Sequence, residues 1–169
     1  MAAVAVAAPL ARGLAHRLAW PADCALLLRA AISLAAVDLA LRTGGVRGAA
    51  GGPAALGAGM PAGRPADAPA RHRAARYAWA IALAARHHVV RARCLHRALV
   101  LHRWLRQEGL PSELRIGVRK VDGALLAHAW VELDGEAVGD LPAAVAAFTP
   151  LTGLQTVLDA PGPAGLRWL

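Results

Sequence analysis

At 169 residues and 57% hydrophobic content, the chain is long enough for one domain with a core of its own, with room for an appendage. Its formal charge of +8 rests almost wholly on arginine, Lys120 being the only lysine, and asparagine does not occur. The arginines are scattered, with no five-residue basic block, RNP signature or zinc-finger spacing, so nucleic acid is excluded as the expected partner. Two cysteines, Cys24 and Cys94, are too few for a disulfide framework and form no CxxC pair; this suits a reducing compartment, and a cytoplasmic location is expected.

The opening "MAAVAVAAPLARGLAHRLAW" lacks the basic start of a secretory signal, because its first arginine follows the apolar run. The next stretch, "ADCALLLRAAISLAAVDLAL" (22–41), approaches membrane-spanning length but holds Asp23, Arg29 and Asp38. Each interior charge would cost about 2.5 to 3.5 kcal/mol in an inserted helix. A soluble or surface-lying helix is therefore expected, with membrane contact left open. Residues 1–42 thus read as an N-terminal helical region. The segment 43–70, rich in glycine and proline and poor in large apolar side chains, reads as a linker or long loop, and 71–169 as the main domain.

Within that domain "RHRAARYAWAIALAARHHVV" predicts a helix with Tyr77, Ile81 and Ala84 or Ala85 on one stripe. In "RCLHRALVLHRWLRQEG" (93–109), Cys94, Ala98, Leu101 and Leu105 make the apolar stripe of a second helix, which Gly109 and Pro111 terminate. Cys94 falls in its first turn and faces inward. The period then changes to two. "ELRIGVRK" (113–120) alternates Leu114, Ile116 and Val118 with charges, "VDG" turns the chain, and "LLAHAWVEL" (125–133) forms a second strand. "DG" at 134 and 135 turns it again into "EAVGD". A helix followed by antiparallel strands defines an α+β domain. His87, His88, His96 and His102 give no ligand set with metal spacing, and no metal or other cofactor is expected.

The last turn bears on which side chains meet. A two-residue loop, Asp134-Gly135, pairs Leu133 with Glu136 and sets His128 opposite Leu141. A three-residue loop, Leu133-Asp134-Gly135, sets His128 opposite Asp140. The residues leave both open, and glycine in the third position favours the longer loop. A cysteine at a helix N-terminus beside an imidazolium has two sources of thiolate stabilisation, and Cys94 has the first by position and could gain the second from His128. Asp140 could orient the imidazole as the third member of a triad. Taken singly, a buried cysteine in a helix or a histidine in a strand is ordinarily a packing residue, and Cys24 keeps that reading.

In order and spacing, "RCLHRALVLHRWLRQEG", "ELRIGVRK", "AHAWVEL" and the following "GD" resemble the transglutaminase-like cysteine proteases of lasso peptide biosynthesis, over about residues 75–150 including "LPAAVAAFTPL". The resemblance implies a papain/transglutaminase-like fold, helices packed on a small antiparallel sheet, with a catalytic triad at Cys94, His128 and Asp140. It implies removal of the leader from a ribosomally made precursor peptide, so that a separate lasso cyclase can close the macrolactam on the freed amine. Some members of that family carry their own leader-recognition domain. Residues 1–42 lack the alternating strands such a domain needs, so a stand-alone protease with a separate recognition protein as partner is expected. Acyl transfer or amidase chemistry by the same triad, and a non-catalytic peptide-binding module, are the competing readings. No side-chain oxyanion donor is evident, which leaves the Cys94 backbone N–H.

Overall fold

The computed structural model describes residues 22–50, 65–88, 92–151 and 166–168. Three helices precede the sheet: α1 (Ala22–Ala50), α2 (Ala68–His87) and α3 (Cys94–Gln107). The start of α2 is set by Asp67, whose carboxylate accepts from the Ala70 amide at 2.8 Å, with proline in the first turn. At the end of α3 the Gly109 amide donates to Arg106 and the Leu110 amide to Leu105, and Gly109 has φ 73°. The apolar stripe read from the sequence is the buried one: Cys94, Ala98, Leu101 and Leu105 all lie in the core, with Ile81 from α2.

The two long strands, β1 (Ser112–Val121) and β2 (Ala124–Leu133), pair over their whole length through a tight Asp122-Gly123 turn, both residues having positive φ. Leu114 and Ile116 on β1 and Ala129, Val131 and Leu133 on β2 join the helices in one core, as the alternation requires. Short strands complete the sheet: β3 (Glu136–Val138) beside β2, β4 (Thr149–Pro150) beside β1, and β5 (Leu166–Trp168), which runs parallel to β2 at Leu125–Ala127. One turn of helix, α4 (Pro142–Val145), separates β3 from β4.

Helix α1 runs past the expected boundary at residue 42 to Ala50, with a kink at Gly45 where φ is 63°. By length and composition Ala22–Thr43 could cross a membrane. In this fold, however, its interior charges are answered by the domain. Asp23 pairs with Arg76 at 2.7 Å, Arg29 lies 4.1 Å over the Trp104 ring, and Asp38 meets His96 at 3.3 Å and Arg42 at 2.7 Å. Ala30, Leu34 and Val37 are buried in the common core, while Leu28, Ile32 and Leu39 are exposed. The helix is thus an integral layer over α2 and α3. Residues 51–64 of the expected linker lie outside the described residues.

Candidate active site

Cys94 is the first residue of α3 and is 2% exposed, at the wall of a cleft enclosing about 350 Å³, part of it open solvent. It meets the cleft with Ala78, Ile81 and Ala82 of α2, Ala129 and Val131 of β2, and Gly139 and Asp140. The N-cap residue, Arg93, makes no side-chain capping bond, so its side chain does not occupy the first-turn amides of α3. Cys24, by contrast, is exposed near the start of α1 and is not the packing residue its apolar context suggested.

His128 sits at mid-length in β2 and is 6% exposed. It belongs to the alternate face shared with Trp130. Its Cα partner across the ladder is Gly117, and the absence of a side chain there makes room for aromatic cover. A Cβ at Gly117 would lie 2.9 Å from Cη2 of Trp130 and 2.9 Å from Cβ of Phe148. Both rings pack on the imidazole, Phe148 at 5.3 Å and Trp130 stacked nearly parallel at 6.0 Å between centroids. Phe148 is delivered there by β4, which pairs with Gly117 and Val118 of β1. Trp130 is fixed by its Nε1 donating to Glu132 at 2.9 Å, and Arg115 holds Glu132 in turn at 3.0 Å.

The route by which Asp140 arrives corrects the favoured register. Leu133 pairs with Glu136 and Val131 with Val138, so the Asp134-Gly135 loop has two residues, not three. Asp134 and Gly135 take φ of 53° and 80°, the left-handed pair a type I′ hairpin needs. Asp134 tolerates this conformation because its carboxylate is tied down, accepting from the Ala66 amide at 2.9 Å and from Arg71 at 3.1 Å. Continued as a ladder, that register would bring Leu141 to His128. The ladder instead stops at Val138. Gly139 turns with φ 84° and passes so close to α2 that a Cβ would lie 2.7 Å from Ala78 Cβ. The turn lets Asp140 reach back, and its Oδ1 stands 3.5 Å from His128 Nε2. Sequence periodicity missed Gly117, Gly139 and Phe148. The signal was available only as a glycine inside an otherwise β-forming run and another just before the aspartate.

The electrostatics follow from this geometry. Asp140, and then Cys94, favour the charged form of the His128 ring and raise its pKa from 6.5 to about 9, against the opposing effect of burial. Nδ1 is buried and has no hydrogen-bond partner among the described residues, while Nε2 faces the carboxylate. One ring nitrogen thus faces Asp140 and the other is left without a partner among the described residues. A thiol at a helix start, an imidazole and a carboxylate, in that chain order, are the groups that thioester chemistry requires. Three further histidines have other partners: His96 faces Asp38, His102 meets Ser112 at 2.9 Å, and His88 meets the Ala31 carbonyl at 3.0 Å.

An α+β fold with cysteine at the head of a helix and histidine on the adjoining sheet is the architecture of the papain and transglutaminase class. A family model described as the transglutaminase-like superfamily matches residues 33–153, and the chain belongs to that superfamily. The match takes in most of α1, consistent with its place in the core. No curated protein and no solved structure matches the chain.

Proposed function

We propose that the protein is a cysteine peptidase that removes the leader from a lasso precursor peptide, with Cys94 as nucleophile, His128 as general acid and base, and Asp140 as the residue that orients His128. The observation that carries this reading is the convergence of Asp140 and Cys94 on one buried, charged imidazole. The Cys94 thiolate attacks the carbonyl at the leader and core junction. His128 then protonates the departing amine, and water hydrolyses the thioester with His128 as base. The Cys94 amide, at the positive end of α3, is the donor this reading assigns to the developing oxyanion. Lasso chemistry in particular is supported by the sequence blocks "CLHRAL", "IGVR" and "AHAWVE". With it go a separate leader-recognition protein, the lasso cyclase as the next enzyme, and a cytoplasmic setting.

The test is incubation of precursor peptide with this protein and the recognition partner, read by mass spectrometry. Free leader and core that disappear with Cys94→Ala support the proposal. Amine-coupled product in the presence of an added amine would favour acyl transfer, and a gain of about one mass unit confined to a glutamine side chain, water in and ammonia out, would favour an amidase. An unaltered precursor together with an unreactive Cys94 would leave a peptide-binding module.

A further inference from the structure

The cleft that Cys94 lines also holds a charge with no counter-ion among the described residues. Arg97 lies one turn along α3 from Cys94, and the two residues line the same cleft, whose walls are otherwise largely small and apolar, Ala78, Ala82, Ala98 and Ala129 among them. Its side chain is half-buried and makes no ion pair or hydrogen bond among the described residues. Arg42, Arg71, Arg73, Arg76 and Arg115 are each matched to a carboxylate, and the arginines of the same helix that also lack one, exposed Arg93 and Arg103 among them, do not line the cleft. Asp140 is the other charged residue of the cleft and is engaged with His128 at 3.5 Å.

A guanidinium is always charged and presents donors in a planar fork that fits a carboxylate by two parallel hydrogen bonds. Removing it partly from water without an acceptor is unfavourable, and apolar walls strengthen its attraction for an anion that enters. Neighbouring positions one turn apart on a helix stand about 5 to 6 Å from each other, and an extended peptide advances about 3.3 Å per residue. The fork therefore reaches the residues flanking the bond that Cys94 attacks. We infer that Arg97 is a specificity-determining residue that binds a carboxylate of the substrate, an aspartate or glutamate side chain within a residue or two of the scissile bond. The inference rests on the peptidase reading for its substrate but not for the anion site itself. Substrates with the matching amide in place of the acid would bind less well, and the preference would weaken with salt.

The direct probe is a pair of alkylating agents that differ in one carboxylate. Iodoacetate and iodoacetamide are reacted with the full chain at low salt, and the rates at Cys94 and at exposed Cys24 are followed by mass spectrometry. The iodoacetate to iodoacetamide rate ratio is expected to be about tenfold higher at Cys94 than at Cys24. In Arg97→Gln it should fall severalfold towards the Cys24 value, the charged His128 remaining, and in Arg97→Lys, which keeps charge without the fork, to an intermediate one. A ratio at Cys94 that is the same in native protein and Arg97→Gln would overturn the inference. Should Cys94 take neither reagent, the nucleophile reading fails on its own, and the anion site is read in Cys94→Ala. An Arg97 Nε–H resonance that moves with N-acetyl-aspartate amide but not with N-acetyl-asparagine amide supports the site, and one that is indifferent to both overturns it.

Discussion

Cys24 and Cys94 both stand in the first turn of a helix, and so both lie in the field of a helix N-terminus. Their surroundings differ. Cys24 is exposed, its neighbour Asp23 is a carboxylate paired with Arg76, and α1 is held by ion pairs and by Ala30, Leu34 and Val37. Cys94 is buried at a cleft, follows an arginine, and touches an imidazole that a carboxylate keeps charged. A helix dipole common to both cannot distinguish them, and burial alone would make Cys94 the slower, so an excess reactivity of Cys94 points to the charged groups around it, His128 and Asp140 first. That makes one thiol of the chain an internal control for the other.

The largest effect that sharpens the contrast is removal of either reacting group. Cys94→Ala should abolish turnover and His128→Ala should lower it by at least about a thousandfold, whereas Cys24→Ser should leave kcat/KM unchanged. Equal losses at the two cysteines would erase the distinction. Asp140→Asn retains the shape but not the charge, and a fall in kcat of about a hundredfold or more is expected, with KM little altered. Next comes Gly139→Ala, which leaves all three functional groups in place. It forces a left-handed φ on a residue with a Cβ and drives that Cβ against Ala78, at about 1 to 3 kcal/mol of stability. Turnover should fall towards that of Asp140→Asn while the protein remains folded at room temperature, as circular dichroism and a urea titration would show.

A smaller effect is the pH dependence of stability. The folded pKa of His128 lies above its unfolded value of 6.5, so the charged pair with Asp140 stabilises fully below pH 6.5 and loses this as pH rises through about 9. The contribution is on the order of 3 kcal/mol at 1.36 kcal/mol per pH unit. The gap in urea midpoint between native protein and Asp140→Asn should therefore be widest near about pH 6 and close towards pH 9. Activity that needs His128 as an acid should decline over the same alkaline limb.

How much of this was legible in the residues depends on the range of the interaction. The α3 stripe, its stop at Gly109 and the β1–β2 hairpin follow from periodicities and turn chemistry within a dozen positions, and the structure has them as read. The three candidate residues were also legible, through order and resemblance. What the sequence could not convey was the geometry joining them. The favoured loop would have made His128 and Asp140 ladder partners. In the fold they meet because the ladder ends at Val138 and Gly139 turns against a helix some 60 positions earlier in the chain. The same holds for α1, whose apolar run predicts its helix but not that Asp23, Arg29 and Asp38 each find partners on α2 or α3. Arg97, too, stands out only once the cleft it shares with Cys94 is known.

The central claim, that His128 backed by Asp140 activates Cys94, is tested most directly by the pH dependence of iodoacetamide alkylation, with both cysteines followed in one mass-spectrometric experiment on native protein and His128→Ala. The account predicts that Cys94 outreacts Cys24 below neutral pH despite its burial, and that the advantage vanishes in His128→Ala while Cys24 is unaffected. Cys94 reacting no faster than Cys24 across the range, or keeping its advantage without His128, would contradict it.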